Sequence, residues 1–146
     1  MNDKTLQKVL NKYNKHTVEY LALDDFKNLS DFILLDARED DEFEVSHLPG
    51  AIHTGFDHFS LAATTQKLPS KQTPIVIYCS IGVRSECIGE QLLKTGYSNV
   101  YNLLGGIFSW YNAGNTVIDD QGQLTDRVHT YSKKWSKYLT SGIAVY

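Results

Sequence analysis

The chain has 146 residues, of which 42% are hydrophobic and 21% charged, a composition that fits one folded domain burying about 70% of its unfolded surface. Its 14 Lys and Arg against 17 Asp and Glu leave a net charge of −3, the wrong sign for a general nucleic-acid binder. No apolar run approaches the ~18 residues of a membrane span, residues 1–15 lack a secretory apolar core, and two cysteines by themselves make neither a disulfide framework nor a four-ligand zinc site, so a cytoplasmic chain with a free thiol is expected.

Residues 6–13 read as a short amphipathic helix with Leu6, Val9, Leu10 and Tyr13 on one face. Residues 17–21 are β-rich, and Asp24 or Asp25 is placed to cap a short helix through Leu29. The run Phe32-Ile33-Leu34-Leu35, bounded by Asp31 and Asp36, suits a strand buried on both faces of a parallel sheet. Residues 39–45 form a short acidic helix, His47-Leu48-Pro49-Gly50 a turn, and Ala51-Ile52-His53 a short strand. A helix is expected over 56–67 and a loop with two prolines over 68–74. Ile75-Val76-Ile77-Tyr78 is a second doubly buried strand, ending at Cys79. Ser85 opens a helix to Thr95 with Ile88, Gly89, Leu92 and Leu93 in one stripe and Gly96 as its C-cap. Residues 100–104 make a further strand, and Gly105-Gly106 turns the chain into a helix over 107–111. The tail, 112–146, carries a turn at Asp120-Gln121-Gly122 and a closing helix over 131–139. Strands alternating with helices place the chain in the α/β class, with a five-stranded, mainly parallel sheet and helices on both faces.

Chemistry concentrates in Cys79-Ser80-Ile81-Gly82-Val83-Arg84-Ser85, between a buried strand and a helix. In open α/β sheets, ligands bind outside the carboxyl ends of the strands. A loop wrapped at a helix N-terminus turns backbone N–H groups inward, favours an anion, and lowers the pKa of a thiol placed there. Gly82 permits a turn that a Cβ would hinder. Arg84 offers a planar fork, either for an oxyanion or for shaping the loop. The competing reading is a buried, inert strand-end cysteine, and the cradle-forming residues after Cys79 weigh against it.

At these residues the sequence resembles the rhodanese family of sulfurtransferases, whose active loop is written C-x-x-G-x-R-S. A second block, Leu34-Leu35-Asp36-Ala37-Arg38 with Glu42-Phe43 and His47-Leu48-Pro49-Gly50-Ala51-Ile52, is similar to the family's, with Ser46 where the family usually has Gly. A third runs from Asn99 to Ile107, with Trp110 after it. The resemblance covers about residues 17–113, leaving residues 1–16 as an N-terminal helix and 114–146 as a C-terminal extension packed on the domain. It implies a three-layer fold and a two-step transfer without metal or organic cofactor. The Cys79 thiolate takes the outer sulfur of a donor such as thiosulfate as a persulfide and passes it to cyanide or a thiol, either small or on a protein. Ser80, Ile81, Gly82, Val83, Arg84 and Ser85 would bind the substrate and stabilise the persulfide. Neither nucleic acid nor membrane is an expected partner.

Only four residues separate Cys79 from Arg84, one fewer than in the related cell-cycle phosphatases, and the smaller ring suits sulfur better than phosphate. Asp36 and Arg38 read as structural support for the sheet end rather than as an acid and a clamp. His47 reads as a turn-stabilising residue, His53 as a group that could face the cleft, and Gly105-Gly106 as a tight turn. Cys87, one to two turns beyond the loop, reads as an incidental surface cysteine rather than a redox partner. The remaining alternative to an enzyme is a sulfur-carrier, binding or regulatory module with little turnover on small donors.

Overall fold

Apolar runs without a polar face cannot sit at a sheet edge, and the two strongest runs lie side by side at the sheet centre. A computed structural model describes residues 1–146. The main sheet contains β1 (Glu19–Leu21), β2 (Ile33–Asp36), β3 (Ile52–His53), β4 (Ile75–Tyr78) and β5 (Val100–Leu103). Its order is β1-β5-β4-β2-β3, with every pairing parallel. All four residues of β4 are buried.

The period of two along these strands sends side chains into two separate layers. Leu34, Val76, Tyr78 and Leu103 meet Leu6, Val9 and Leu10 of α1 (Asp3–Tyr13), Phe26 of α2 (Leu23–Lys27), and Ile107 and Phe108 of α6 (Gly106–Asn112). Leu35, Ile75, Ile77 and Val100 meet Ile88 and Leu92 of α5 (Arg84–Lys94), with Leu68 beneath. Each such side chain contributes about 1.5–3 kcal/mol by leaving water. Gly89 allows the close approach of α5, since a Cβ there would stand 2.9 Å from Val18 Cγ2. The short helices α3 (Asp40–Val45) and α4 (Leu61–Thr65) complete the domain.

Several boundaries differ from expectation. Asp24 and Asp25 lie inside the first turn of α2, whose N-cap is Ala22. The helix expected over 56–67 shrinks to α4, because the N–H groups of Phe56 and Asp57 donate to the Glu39 carboxylate and Ser60 caps the helix through Ala63. Leu93 falls off the buried stripe of α5 and is 36% exposed. The helix expected over 131–139 is only a 3-10 turn at Trp135–Tyr138, since Tyr131 takes φ +70° and donates its N–H to His129. The tail also holds strands that were not expected: β6 (Val117–Ile118) pairs with β7 (Leu124–Thr125) around the foreseen turn, and β8 (Arg127–His129) pairs in parallel with β9 (Ile143–Val145). Val117 and Val128 are fully buried in the same layer as α1.

At the carboxyl end of β2 a buried ion pair fixes the start of the next connection. Asp36 accepts from the Arg38 backbone N–H and guanidinium, and from the Tyr78 hydroxyl. Arg38 reaches on to the Ser46 carbonyl at 2.6 Å, and both charged side chains are fully buried. Ser46 itself is extended, at φ −169°, so the turn does not require the usual Gly. Replacing Asp36 by Asn would strand the Arg38 charge away from water. A loss of about 3–5 kcal/mol is expected, read as a lower urea midpoint with an unchanged slope. A loss below ~1 kcal/mol would show that the Ser46 carbonyl suffices to hold Arg38.

Candidate active site

Cys79 follows the central strand and is 1% exposed. The chain leaves β4 with two carbonyls that have no strand partner, and the start of α6 takes both. Ile107 N–H donates to the Cys79 carbonyl at 3.0 Å and Phe108 N–H to that of Ser80 at 3.1 Å. Gly106 lets this contact form: at φ +55° a Cβ would lie 2.4 Å from the Cys79 carbonyl oxygen. With its carbonyls held outward, the loop turns N–H groups toward sulfur.

Gly82 N–H donates to Cys79 Sγ at 3.2 Å, and Ser85 Oγ lies 3.4 Å from it. The Ser85 hydroxyl donates its one proton to Asn102 Oδ1 at 2.6 Å. The Asn102 amide then donates to the Gly82 carbonyl at 2.9 Å, and Asn14, just beyond α1, donates to that same oxygen. Gly82 takes φ +125°, a conformation that side chains resist.

Arg84 neither reaches into the cleft as a free fork nor holds loop carbonyls. Its guanidinium binds both carboxylate oxygens of Glu42, at 2.7 and 2.8 Å, and the Ser80 hydroxyl at 3.0 Å. The Tyr131 ring stacks over it, 5.0 Å away. Burial pushes the Glu42 carboxyl up, but its hydrogen bonds and charge contact with Arg84 outweigh this and hold it below the ordinary carboxylate value. Burial likewise pushes the Cys79 thiol up. The Arg84 charge, with the Ser85 and Gly82 N–H groups, pulls harder, leaving it below the ordinary thiol value.

A cleft of about 250 Å³ opens above Cys79, Ser80, Ile81, Val83 and Arg84. Its walls are aromatic, with Tyr13 from α1, Phe56, and Tyr131 and Trp135 from the tail, and Glu39 and Asp57 add carboxylates at the rim. Arg84 is the only basic side chain lining it. Asp36 and Arg38 sit behind the loop as structural support, and His53 turns away, its Nε2 2.6 Å from the Arg38 carbonyl. His47 bonds the Phe43 carbonyl and stacks on the Phe43 ring. Cys87 is exposed; local desolvation and then the charges of Glu90 and Glu86 push its thiol up. Sequence reasoning quoted Glu42 within a motif without assigning it a role in the site, and it missed Asn102. The place of Glu42 in one block with Asp36 and Arg38 was the available signal; Asn102 lies in the third block, but nothing local gives it a role in the site.

The family described as Rhodanese-like domain matches residues 17–113. Over 90 residues the chain is 38% identical to the adenylyltransferase and sulfurtransferase UBA4 of Meyerozyma guilliermondii, covering 57% of this chain and 21% of that protein. Over 80 residues it is 30% identical to the thiosulfate sulfurtransferase GlpE of Coxiella burnetii, covering 55% of this chain and 72% of that one. Over 115 residues it is 36% identical to the tRNA uridine(34) hydroxylase of Onion yellows phytoplasma, covering 73% and 35%. The match thus spans a minor part of two of these three relatives. The crystal structure of a thiosulfate sulfurtransferase from Pseudomonas aeruginosa shares the fold, with a TM-score of 0.66 at 23% identity over 92% of this chain and 25% of that one.

Replacing Arg84 by Lys keeps a charge but loses the fork that joins Glu42 to Ser80. The expected result is a Cys79 thiol that titrates at higher pH. The pH profile of iodoacetamide alkylation, followed in a Cys87→Ser background, measures this. An unchanged midpoint would mean that the loop N–H groups hold the thiolate without Arg84.

Proposed function

The chain belongs to the rhodanese-like domain family, and from that premise we propose that it is a sulfurtransferase working through Cys79. The observation that carries this reading is a thiol of lowered pKa at the floor of an open cleft, with Gly82 N–H 3.2 Å from its sulfur. In the first step the Cys79 thiolate attacks the outer sulfur of a donor. With thiosulfate, an S–S bond forms on Cys79, the donor's S–S bond breaks, and sulfite leaves with the electron pair. The persulfide carries the negative charge, and the groups that lowered the thiol pKa stabilise it in turn. In the second step cyanide or a thiolate attacks the outer sulfur and the Cys79 thiolate is restored. The lowered pKa of Cys79 favours its ionised form, which in this reading takes the place of a dedicated general base.

The charge at the mouth bears on the donor. Arg84 is neutralised by Glu42, and Glu39 and Asp57 add negative charge at the rim, so a dianion such as thiosulfate meets no free cation in the cleft. This favours slow loading by thiosulfate and keeps a second reading in view, a sulfur carrier with little turnover on small anionic donors. Both readings share the persulfide on Cys79.

Mass spectrometry after exposure to thiosulfate should show one added sulfur atom on Cys79. Cys79→Ser should abolish both this adduct and thiocyanate formation, since a hydroxyl forms no persulfide. Cys87→Ser should retain most activity, because its thiol is less ionised and lies outside the cleft. Equal damage from the two substitutions would replace the single-thiol mechanism by a two-cysteine relay. Sulfur on Cys79 with negligible thiocyanate production would favour the carrier.

A further inference from the structure

Charge is unevenly divided along this chain. Residues 1–15 carry Lys4, Lys8, Lys12 and Lys15 against Asp3, and residues 130–146 carry Lys133, Lys134 and Lys137 with no Asp or Glu. The intervening residues hold seven basic side chains against sixteen acidic ones. The fold brings the two basic segments together: α1 and the 3-10 turn enclose a groove of about 680 Å³ lined by Lys8, Lys12, Lys134 and Lys137. No acidic residue lines the groove, and none of the four lysines is paired with a carboxylate. Tyr13 and Trp135 line both this groove and the cleft over Cys79, so the two depressions adjoin.

We propose that this groove docks an acidic polypeptide segment whose cysteine exchanges sulfur with Cys79. The exchange rests on the sulfurtransferase reading above. The partner's thiolate attacks the outer sulfur of the Cys79 persulfide, a new S–S bond forms on the partner, the Cys79 S–S bond breaks, and the Cys79 thiolate leaves. Run backwards, the same step loads Cys79 from a persulfide on the partner. The 11 residues of α1 span about 16 Å, the length of about five extended residues, so a short segment fills the groove. Unpaired lysines attract carboxylates over about a Debye length, and the acidic remainder of the surface repels the same segment elsewhere, which orients it.

The rings of the groove favour a polypeptide over a nucleic acid. Stacking platforms present open, flat faces to bases. Here Trp135 packs at a tilt against Tyr13 and Tyr138, at 53° and 45°. Lys12 covers the Tyr13 ring and Lys137 the Tyr138 ring, each 5.2 Å from the centroid. One face of each tyrosine ring is covered by a lysine, while none of the four ammonium groups has a carboxylate partner.

The test uses the whole chain with sulfur loaded on Cys79, and a synthetic peptide of glutamates ending in one cysteine. Its sulfur acceptance is compared with that of a Gly-Ser peptide bearing the same cysteine. At low salt the acidic peptide should be about tenfold the better acceptor, and the advantage should vanish at high salt. It should also vanish in the variant Lys8→Gln, Lys12→Gln, Lys134→Gln, Lys137→Gln, with turnover on cyanide unchanged. In the charge-reversed pair Lys12→Glu, Lys134→Glu, a lysine-rich cysteine peptide should become the preferred acceptor. Equal acceptance from the acidic and neutral peptides overturns the proposal. So does tighter binding of an oligouridylate than of the acidic peptide, which makes the groove a nucleic-acid site, and so does salt-sensitive self-association lost in the Lys→Gln variant, which makes a second copy the occupant. Failure of Cys79 to gain any sulfur overturns the sulfurtransferase reading separately. Docking is then scored alone, by fluorescence anisotropy of a labelled glutamate peptide with Ser for Cys, whose salt-sensitive binding supports the surface and whose absence overturns it.

Discussion

Glu42 and Arg84 meet through two hydrogen bonds with side chains only 2% and 15% exposed, so each gives up water that the other, with the Glu39 N–H and the Ser80 hydroxyl, replaces. This exchange ties α3, which follows the sheet's β2, to the first residue of α5, which follows β4. The loop around Cys79 is thereby closed at both ends, since the Ser80 hydroxyl joins the same guanidinium. Removing one partner would leave the other charged and dry, so the two behave as one unit. The pair also sets the chemistry of the cleft: it keeps a positive charge close enough to lower the thiol pKa while hiding that charge from an incoming anion. A free arginine would have joined donor binding to thiolate stabilisation, whereas the paired one separates them.

How much of this was legible in the sequence depended on whether the signal was local. The central strands announced themselves because burial on both faces leaves no charged or alternating polar position, and Ile75 to Tyr78 carry only one hydroxyl, at the strand end. The loop was legible because a nucleophile, a glycine at positive φ and an arginine must stand at fixed intervals to wrap one sulfur atom. The function of Arg84 was only half legible. Its charge and position were plain, but its partner lies 42 residues away, and only the folded chain shows that the fork is spent on a carboxylate. Asn102 stayed hidden for the same reason, as an ordinary strand residue until Ser85 and the Gly82 carbonyl are brought to it. The helix expected over 56–67 failed because a remote acceptor, Glu39, competes for the first N–H groups, something no local propensity records.

The segments flanking the family match are built into the site. Asn14 bonds the Gly82 carbonyl, and the N–H groups of Lys15 and His16 donate to the buried Glu86 of α5. The N-terminal helix thus braces the loop from one side, while Tyr131 and Trp135 reach it from the tail. The short parallel pair of β8 and β9 explains how the tail manages this, because residues 130–142 must arch between two strands running the same way. Parallel pairs need a long crossover, and here that crossover is the wall of the cleft. Related domains that lack these flanks would share the loop and yet present a different entrance.

The placement of Cys79 after the central strand has a temporal consequence. β4 pairs with β2, which precedes it, and with β5, which follows it, and the carbonyls that shape the loop wait for the start of α6. Until residues as far along as Phe108 have been made and docked, Cys79 is an ordinary thiol in a flexible chain, largely protonated at neutral pH. Its nucleophilicity is therefore a property that the finished sheet confers. A nascent or misassembled copy titrates as an unperturbed thiol, and a fall in the pH at which Cys79 ionises marks the moment at which the last long-range contacts close.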